Sequence, residues 1–212
     1  MRYFGKYERF DFPPDADRGR ILSADNAVGD IYDIEIDMED GVHKAWLVNR
    51  FGNKIGYFNP KFSRRLAVMA ADWLKEKAIL SFMAYTGNGE KGTYWGEMAV
   101  VCYDPAREAA FEKYLKGVSE RIGDDIRPMI DFSDDAAEKI IETQGEWIPA
   151  QNIILPDQDK GKTYIKRRKR MAEKLADQGR AGNIGCYIAS WAFIVIIVAA
   201  IVLGILAMMG VF

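Results

Sequence analysis

Hydrophobic and polar residues alternate most cleanly between Asp30 and Arg50. Tyr32, Ile34, Ile36 and Met38 fall on one side of an extended chain, and Asp33, Glu35, Asp37 and Glu39 on the other. That pattern predicts a strand with one wet face over 31–38. Asp40-Gly41 follows, a pair suited to a tight turn with positive φ at both positions. The turn sets the register. Ile36 opposes Ala45, Ile34 opposes Leu47, Asp37 opposes Lys44, and His43 falls opposite Met38 in a second strand from Val42 to Arg50.

After a turn and short strand at 53–58 the period changes to that of a helix. Asn59 is placed as a cap and Pro60 at the first helical position, with Phe62, Leu66, Met69, Ala70, Trp73 and Leu74 as the apolar stripe. Residues 78–86 and 94–103 read as strands around a glycine-rich loop. Asp104-Pro105 repeats the cap-and-proline device before a helix that buries Phe111, Leu115, Val118 and Ile122 and stops at Gly123. Ser133 caps a third helix, with Ala137, Ile140 and Ile141 inward and Gly145 as its stop. Residues 1–27 are aromatic at first and turn-like at Pro13-Pro14-Asp15, and read as a strap lying on the domain. Trp147 to Leu155 reads as a last extended piece. The expected fold class is α+β: a small β-rich, barrel-like core flanked by three helices.

The last pattern is an absence of polarity. No charged residue follows Arg180, and 184–212 is a nearly unbroken apolar run. A helix of about 20 apolar residues crosses the roughly 30 Å hydrocarbon core, so one C-terminal transmembrane helix is expected. The competing reading, a core helix, would have to hide this run inside a single domain. Lys166, Arg167, Arg168, Lys169, Arg170, Lys174 and Arg180 precede it, which sets the head in the cytoplasm and the C-terminus across the membrane. The expected organisation is an N-terminal strap (1–27), a cytosolic domain (28–156), a basic neck (157–183) helical from Tyr164, and the span (184–212). Residues 160–174, with Lys166 to Arg170 at their centre, are expected to lie on anionic lipid headgroups. Tyr187 and Trp191 suit the interface, and Ala200 with Gly204 forms a small-xxx-small pair for a weak helix dimer. Cys102 and Cys186 make no disulfide framework, in keeping with a reducing cytosol; Cys186, at the membrane edge, reads as an ordinary thiol, with palmitoylation as its alternative.

Charge divides the same way. Residues 160–180 hold nine Lys/Arg and two Asp/Glu, or +7. The chain sums to −2 and 181–212 is uncharged, so 1–159 carries −9. Little in that head points to catalysis. Gly87-Asn88-Gly89-Glu90-Lys91-Gly92-Thr93 matches GxGxxG, but a strand follows where a dinucleotide site needs a helix N-terminus, so it reads as a hairpin tip. The row Asp33, Glu35, Asp37, Glu39 reads as a solvated face opposite Lys44 rather than an acid/base pair, since nothing apolar flanks it. His43 is the sole histidine, no zinc spacing exists, and no Ser/His/Asp or Cys/His system can be assembled. No cofactor or metal is expected.

Gly41 to Ala71 is acid-free and carries six cations, Lys44, Arg50, Lys54, Lys61, Arg64 and Arg65, interleaved with Trp46, Phe51, Tyr57, Phe58 and Phe62. Cations beside aromatic platforms are what phosphate contact and base stacking require. Lys44, Trp46, Arg50, Lys54, Tyr57, Phe58, Lys61, Arg64 and Arg65 are therefore the candidate polyanion contacts. The alternative is charge balance with the acidic row and with Asp124, Asp125, Asp134 and Asp135. The same stretch carries a resemblance. His43-Lys44-Ala45-Trp46-Leu47-Val48, then Lys54-Ile55-Gly56-Tyr57-Phe58-Asn59-Pro60, the helix with Leu66-Ala67 and the strand 78–86 together resemble a HIRAN domain over 42–103. That family usually has an Asn/Asp-rich stretch ending in Asn-Ala-Ile before the equivalent strand; here Glu39-Asp40-Gly41-Val42 stands there. The resemblance implies a barrel-like core and binding of DNA ends or single strands. The functional expectation is a single-pass anchored protein presenting a non-enzymatic domain, binding nucleic acid or another polyanion through 41–71. The alternative is a membrane-tethered adaptor for a cytosolic protein partner, using its acidic face.

Overall fold

The computed structural model describes residues 2–14, 16–88, 91–155, 162–170, 173, 193 and 195–197. The chain divides into two units, Met1–Lys169 and Arg170–Phe212. In the second, Phe193 and Val195–Ile197 are helical with exposed side chains. Among the described residues no helix is long and apolar enough to cross a membrane. The expected span lies outside the described residues apart from those positions, as do Lys174, Arg180, Cys186, Tyr187, Trp191, Ala200 and Gly204.

The first unit is built on strands β1 (Tyr3–Asp11), β2 (Ile31–Glu39), β3 (Val42–Val48), β4 (Lys54–Phe58), β5 (Lys75–Asn88), β6 (Lys91–Tyr103) and β7 (Lys162–Lys166). Helices are a one-turn α1 (Arg18–Ile21), α2 (Pro60–Ala71), α3 (Glu108–Gly123) and α4 (Asp134–Glu142). The strand order β2-β3-β4-β1-β6-β5 closes on itself through β2–β5 pairing, so six antiparallel strands make a barrel and β7 adds to β5 outside the closure. The hairpin register is as the alternation predicts: Ile36↔Ala45, Ile34↔Leu47, Asp37↔Lys44 and Met38↔His43, around Asp40 and Gly41 at φ 50° and 76°.

β5 and β6 are apolar runs because both their faces are covered. Ala78, Leu80, Met98, Val100 and Cys102 fill the barrel with Phe10, Leu47, Phe58 and Leu66. Ile79, Ala99, Val101 and Tyr103 face outward beneath Phe111, Leu115, Val118 and Ile122 of α3. A bulge between Leu80 and Phe82 reverses the alternation, so Phe82 and Ala84 point outward and Met83 inward. Phe10 is fully buried at the barrel centre. A Cβ on Gly56 would come within 2.6 Å of its ring and one on Gly96 within 2.4 Å, so glycine at both positions is a packing requirement.

Two expectations are corrected. The N-terminal stretch is no strap: Tyr3–Asp11 is a barrel strand between β4 and β6. Phe4 and Phe10 point in while Tyr3 and Tyr7 point out under other elements, so no polar face marks it as a strand. The neck is not helical from Tyr164. Lys162–Lys166 is a strand on the open edge of β5 at Met83–Thr86, with the Tyr164 ring 4.9 Å from that of Phe82. Residues 162–169 therefore belong to the head. Trp147 to Leu155 is an extended piece as expected, though outside the named strands: its backbone makes an antiparallel bridge at Asn152 to Pro128 and flanking bonds to Arg127 and Met129.

Under that segment lies a buried ion pair. Arg127 (5% exposed) donates to Glu97, to Ser81 Oγ at the bulge (3.2 Å) and to the Ile154 carbonyl (2.9 Å), with its guanidinium 4.5 Å from the Tyr7 ring centroid. Burial raises the pKa of Glu97, and Arg127 opposes that shift. Removing one partner of such a pair strands the other. Arg127→Met is expected to cost about 3 kcal/mol, and to lower Tm by roughly 6–12 °C in a chain of this size. Thermal denaturation of Arg127→Met/Glu97→Gln should recover much of that loss, since no bare charge remains.

Candidate functional site

The outer face of β2, β3 and β4 is the first place the candidate residues meet. Trp46 and Tyr57 are register partners, with rings 5.2 Å apart edge to face. Lys44 Nζ lies 4.2 Å from the Trp46 centroid and 4.4 Å from that of Tyr57, so the amine is held by both. It also pairs with Glu39 at 2.8 Å, and Glu39 accepts from Trp46 Nε1 at 3.0 Å. These hydrogen bonds hold the Glu39 carboxyl below its usual range. Lys54 pairs with Asp37 and, at 3.4 Å, with Glu35; the hydrogen bond it donates to Asp37 raises its pKa. Lys77 pairs with Asp33. Every carboxylate of the row thus has a lysine, Glu35 and Asp37 sharing Lys54, so four acids face three cations. Among the described residues no group of three His, Cys, Asp or Glu is placed to hold a metal ion.

The helix is the second place. β4 is short, and beyond Phe58 the gap between β3 and β1 is filled by α2 in place of a strand. Ser63 Oγ accepts from Ala45 N and donates to the Phe58 carbonyl, both at 3.0 Å, as a continued strand would. Asn59 caps the helix by accepting from Phe62 N and donates to Glu8 on β1. Phe62, Ser63 and Leu66 are buried, so Lys61, Arg64 and Arg65 are turned outward. Arg65 lies over the Phe4 ring at 4.1 Å. Lys61 and Arg64 make no ion pair among the described residues.

The six cations therefore do not form one patch. Lys44 and Lys54 sit in the ion pairs of the sheet, Arg50 beside Phe51 in the turn after β3, and the remaining three on α2. Two of the aromatic platforms are withdrawn: Phe58 (1% exposed) and Phe62 (4%) are barrel core and cannot stack on a ligand. Phe58 is therefore corrected from ligand contact to core residue. Trp46 and Tyr57 remain half-exposed, but edge to face and occupied by Lys44. Of the basic neck, Lys166 is also corrected. It is buried and donates to the carbonyls of Ser23 (2.8 Å) and Asn26 (3.1 Å). Arg167 pairs with Asp125 and Lys169 with Asp30, while Arg168 and Arg170 are exposed. In the glycine-rich loop, Gly89 and Glu90 lie outside the described residues.

Two positions escaped the sequence reading. Trp73, assigned to the inward stripe of α2, lies beyond the helix end at φ 64° and is 86% exposed. Leu74 N bonds back to Met69 O and Trp73 N to Ala70 O, so Trp73 occupies the left-handed terminating position that glycine usually takes. Glu76 is the other. It is in phase with Ala78 and Leu80, which point into the barrel, and period two alone would have placed it there. Its Oε1 is buried without a hydrogen-bond partner, and burial pushes its pKa up to about 7. Cys102, its register partner on β6, is a buried thiol whose pKa burial also raises, which removes it as a nucleophile at neutral pH. No family model, curated protein or solved structure matches this chain.

Glu76 gives the fold a pH signature. Its folded pKa is raised above the unfolded value, so its contribution is fully present below about pH 4.5 and is lost as pH rises through about 7. Glu76→Gln is expected to be neutral in stability at pH 4. Above pH 7 it should be stabilising by about 1–2 kcal/mol, a figure discounted for partial solvent screening. Denaturant melts at both pH values measure this difference.

Proposed function

We propose that this chain is a C-terminally membrane-anchored protein whose barrel head is a non-enzymatic binding module. Its head docks single-stranded nucleic acid or a similar polyanion through the outer face of α2. The observation that carries the reading is the state of Lys61 and Arg64: both are exposed and make no ion pair among the described residues, whereas Lys44 and Lys54 are spent on the sheet. No acidic residue lies between Glu39-Asp40 and Asp72, so nothing within reach along the helix neutralises them. Lys61, Arg64 and Arg65 would supply contacts to the phosphate backbone, which give affinity without sequence preference. The HIRAN-like resemblance of 42–103 implies the same ligand class. The anchor rests on the apolar run 184–212, of which the described positions Phe193, Val195, Ile196 and Ile197 are helical and expose their side chains.

The ligand is tested with full-length protein in nanodiscs of zwitterionic lipid, titrated with short single-stranded DNA across salt. Affinity is expected to fall as salt rises, and Lys61→Glu/Arg64→Glu to lower both the affinity and the salt slope by about two phosphate contacts. Binding that ignores salt, or survives the double charge reversal unchanged, sinks the reading. The anchor is tested by alkaline carbonate extraction of membranes: the full chain is expected in the pellet, and a chain stopped before 184 in the supernatant. Full-length protein released by carbonate would remove the anchor from the proposal.

A further inference from the structure

We propose that the cleft beside the end of α2 is a docking site for an arginine side chain of a partner protein. The cleft, about 490 Å³, is lined by Arg2, Asp72, Trp73, Leu74, Asp104 and Pro105. It lies where α2 ends, β5 begins, β6 ends and β1 starts. Its chemistry differs from that of the α2 face: carboxylates and an aromatic ring, with no need of the α2 cations.

The occupant is read from charge and shape. Asp72 and Asp104 put two carboxylates in one cleft. Asp104 Oδ1 accepts from Ala106 N, and the second oxygen has no partner among the described residues. The indole of Trp73 is 86% exposed, so its face is open to a guest. An anion would be repelled here, and a purely apolar guest would leave the carboxylates unused. A guanidinium satisfies both, since it stacks on an indole face and bonds carboxylates through a planar fork. The chain already sets such a group in the cleft. Arg2 Nη1 stands 3.2 Å from Asp72 Oδ2, with both side chains more than half exposed (65% and 58%). A pair so exposed is held weakly and yields to a competitor. Arg2 is thus a resident stand-in that an incoming arginine displaces.

The test uses fluorine NMR on the full chain in zwitterionic nanodiscs, with fluorotryptophan incorporated and the Trp73 line assigned by Trp73→Phe. The probes are a short Gly/Arg peptide and its Gly/Gln counterpart. The arginine peptide is expected to shift the Trp73 line saturably and the glutamine peptide to leave it in place. Arg2→Ala should tighten the binding, and Asp72→Asn/Asp104→Asn weaken it by about tenfold or more. Unmoved Trp95 and Trp147 lines report that each variant is folded. Lys61→Glu/Arg64→Glu should leave this binding intact, so its outcome is separate from that of the nucleic-acid reading. A Trp73 line that stays still in Arg2→Ala protein, or a shift that survives Asp72→Asn/Asp104→Asn, overturns the proposal.

Discussion

β5 has a single edge left once β6 has taken the other, and three segments share it. β2 pairs at Lys77 to Ile79, the loop residues Gly29 and Asp30 bond to Leu80, and β7 pairs at Met83 to Thr86. The barrel is closed only by the first of these. The bulge between Leu80 and Phe82 makes the sharing workable: it bends the strand where the partner changes and turns Phe82 and Ala84 outward, away from the barrel interior. The outward side chains then need cover, which the 127–155 segment, Tyr164 and Arg127 provide. A buried arginine is tolerated there because Glu97, Ser81 and a carbonyl receive its donors.

The gap left by a short β4 has a comparable consequence. A helix is wider than a strand and cannot continue the ladder, so α2 meets the neighbouring backbone through one hydroxyl, that of Ser63. Its inner face is apolar and its outer face is free to be charged. On the sheet the opposite holds. Residues of neighbouring strands lie within about 5 Å of one another, so Lys44 on β3 finds Glu39 of β2, and the long Lys54 side chain on β4 reaches across β3 to Asp37 and Glu35. Where a cation falls in the architecture therefore decides whether it is available to a ligand, and the acid-free run of sequence alone does not.

That division explains what was legible beforehand. The Asp40-Gly41 hairpin, its register, the Asn59 and Ser133 caps and the α3 stripe are local, fixed by residues a few positions apart, and they are where the sequence placed them. β1, β7 and the burial of Phe58 depend on partners far along the chain. β1 buries both faces, so Tyr3 to Asp11 shows aromatics without alternation. β7 carries a basic composition that resembles a neck until β5 offers it an edge. Trp73 was misplaced for a third reason. A helical period continues on paper past the point where the backbone turns left-handed, and a tryptophan there gives no breaker signal. The candidate site was half legible: the cations were found, and charge balance with the acidic row stood only as the alternative, which holds for Lys44 and Lys54 and not for Lys61 and Arg64.

The burial of Lys166 bears on the expectation that the basic run contacts anionic lipid. The basic run Lys166 to Arg170 reads from sequence as a uniform patch for anionic headgroups, each cation contributing about 1 kcal/mol. Lys166 is instead enclosed by the carbonyls of the 23–26 loop, and Arg167 and Lys169 answer Asp125 and Asp30. Three of the run's charges thus hold the last strand onto the barrel. Arg168 and Arg170 keep their charge exposed. A surface that spends its lysines internally has a weaker attraction to anionic lipid than its composition implies, so the proposed anchoring would rest on the apolar run 184–212. Within that proposal the electrostatics place less weight on the basic stretch than its net charge alone suggests, because three of its five cations are already paired or buried inside the first unit.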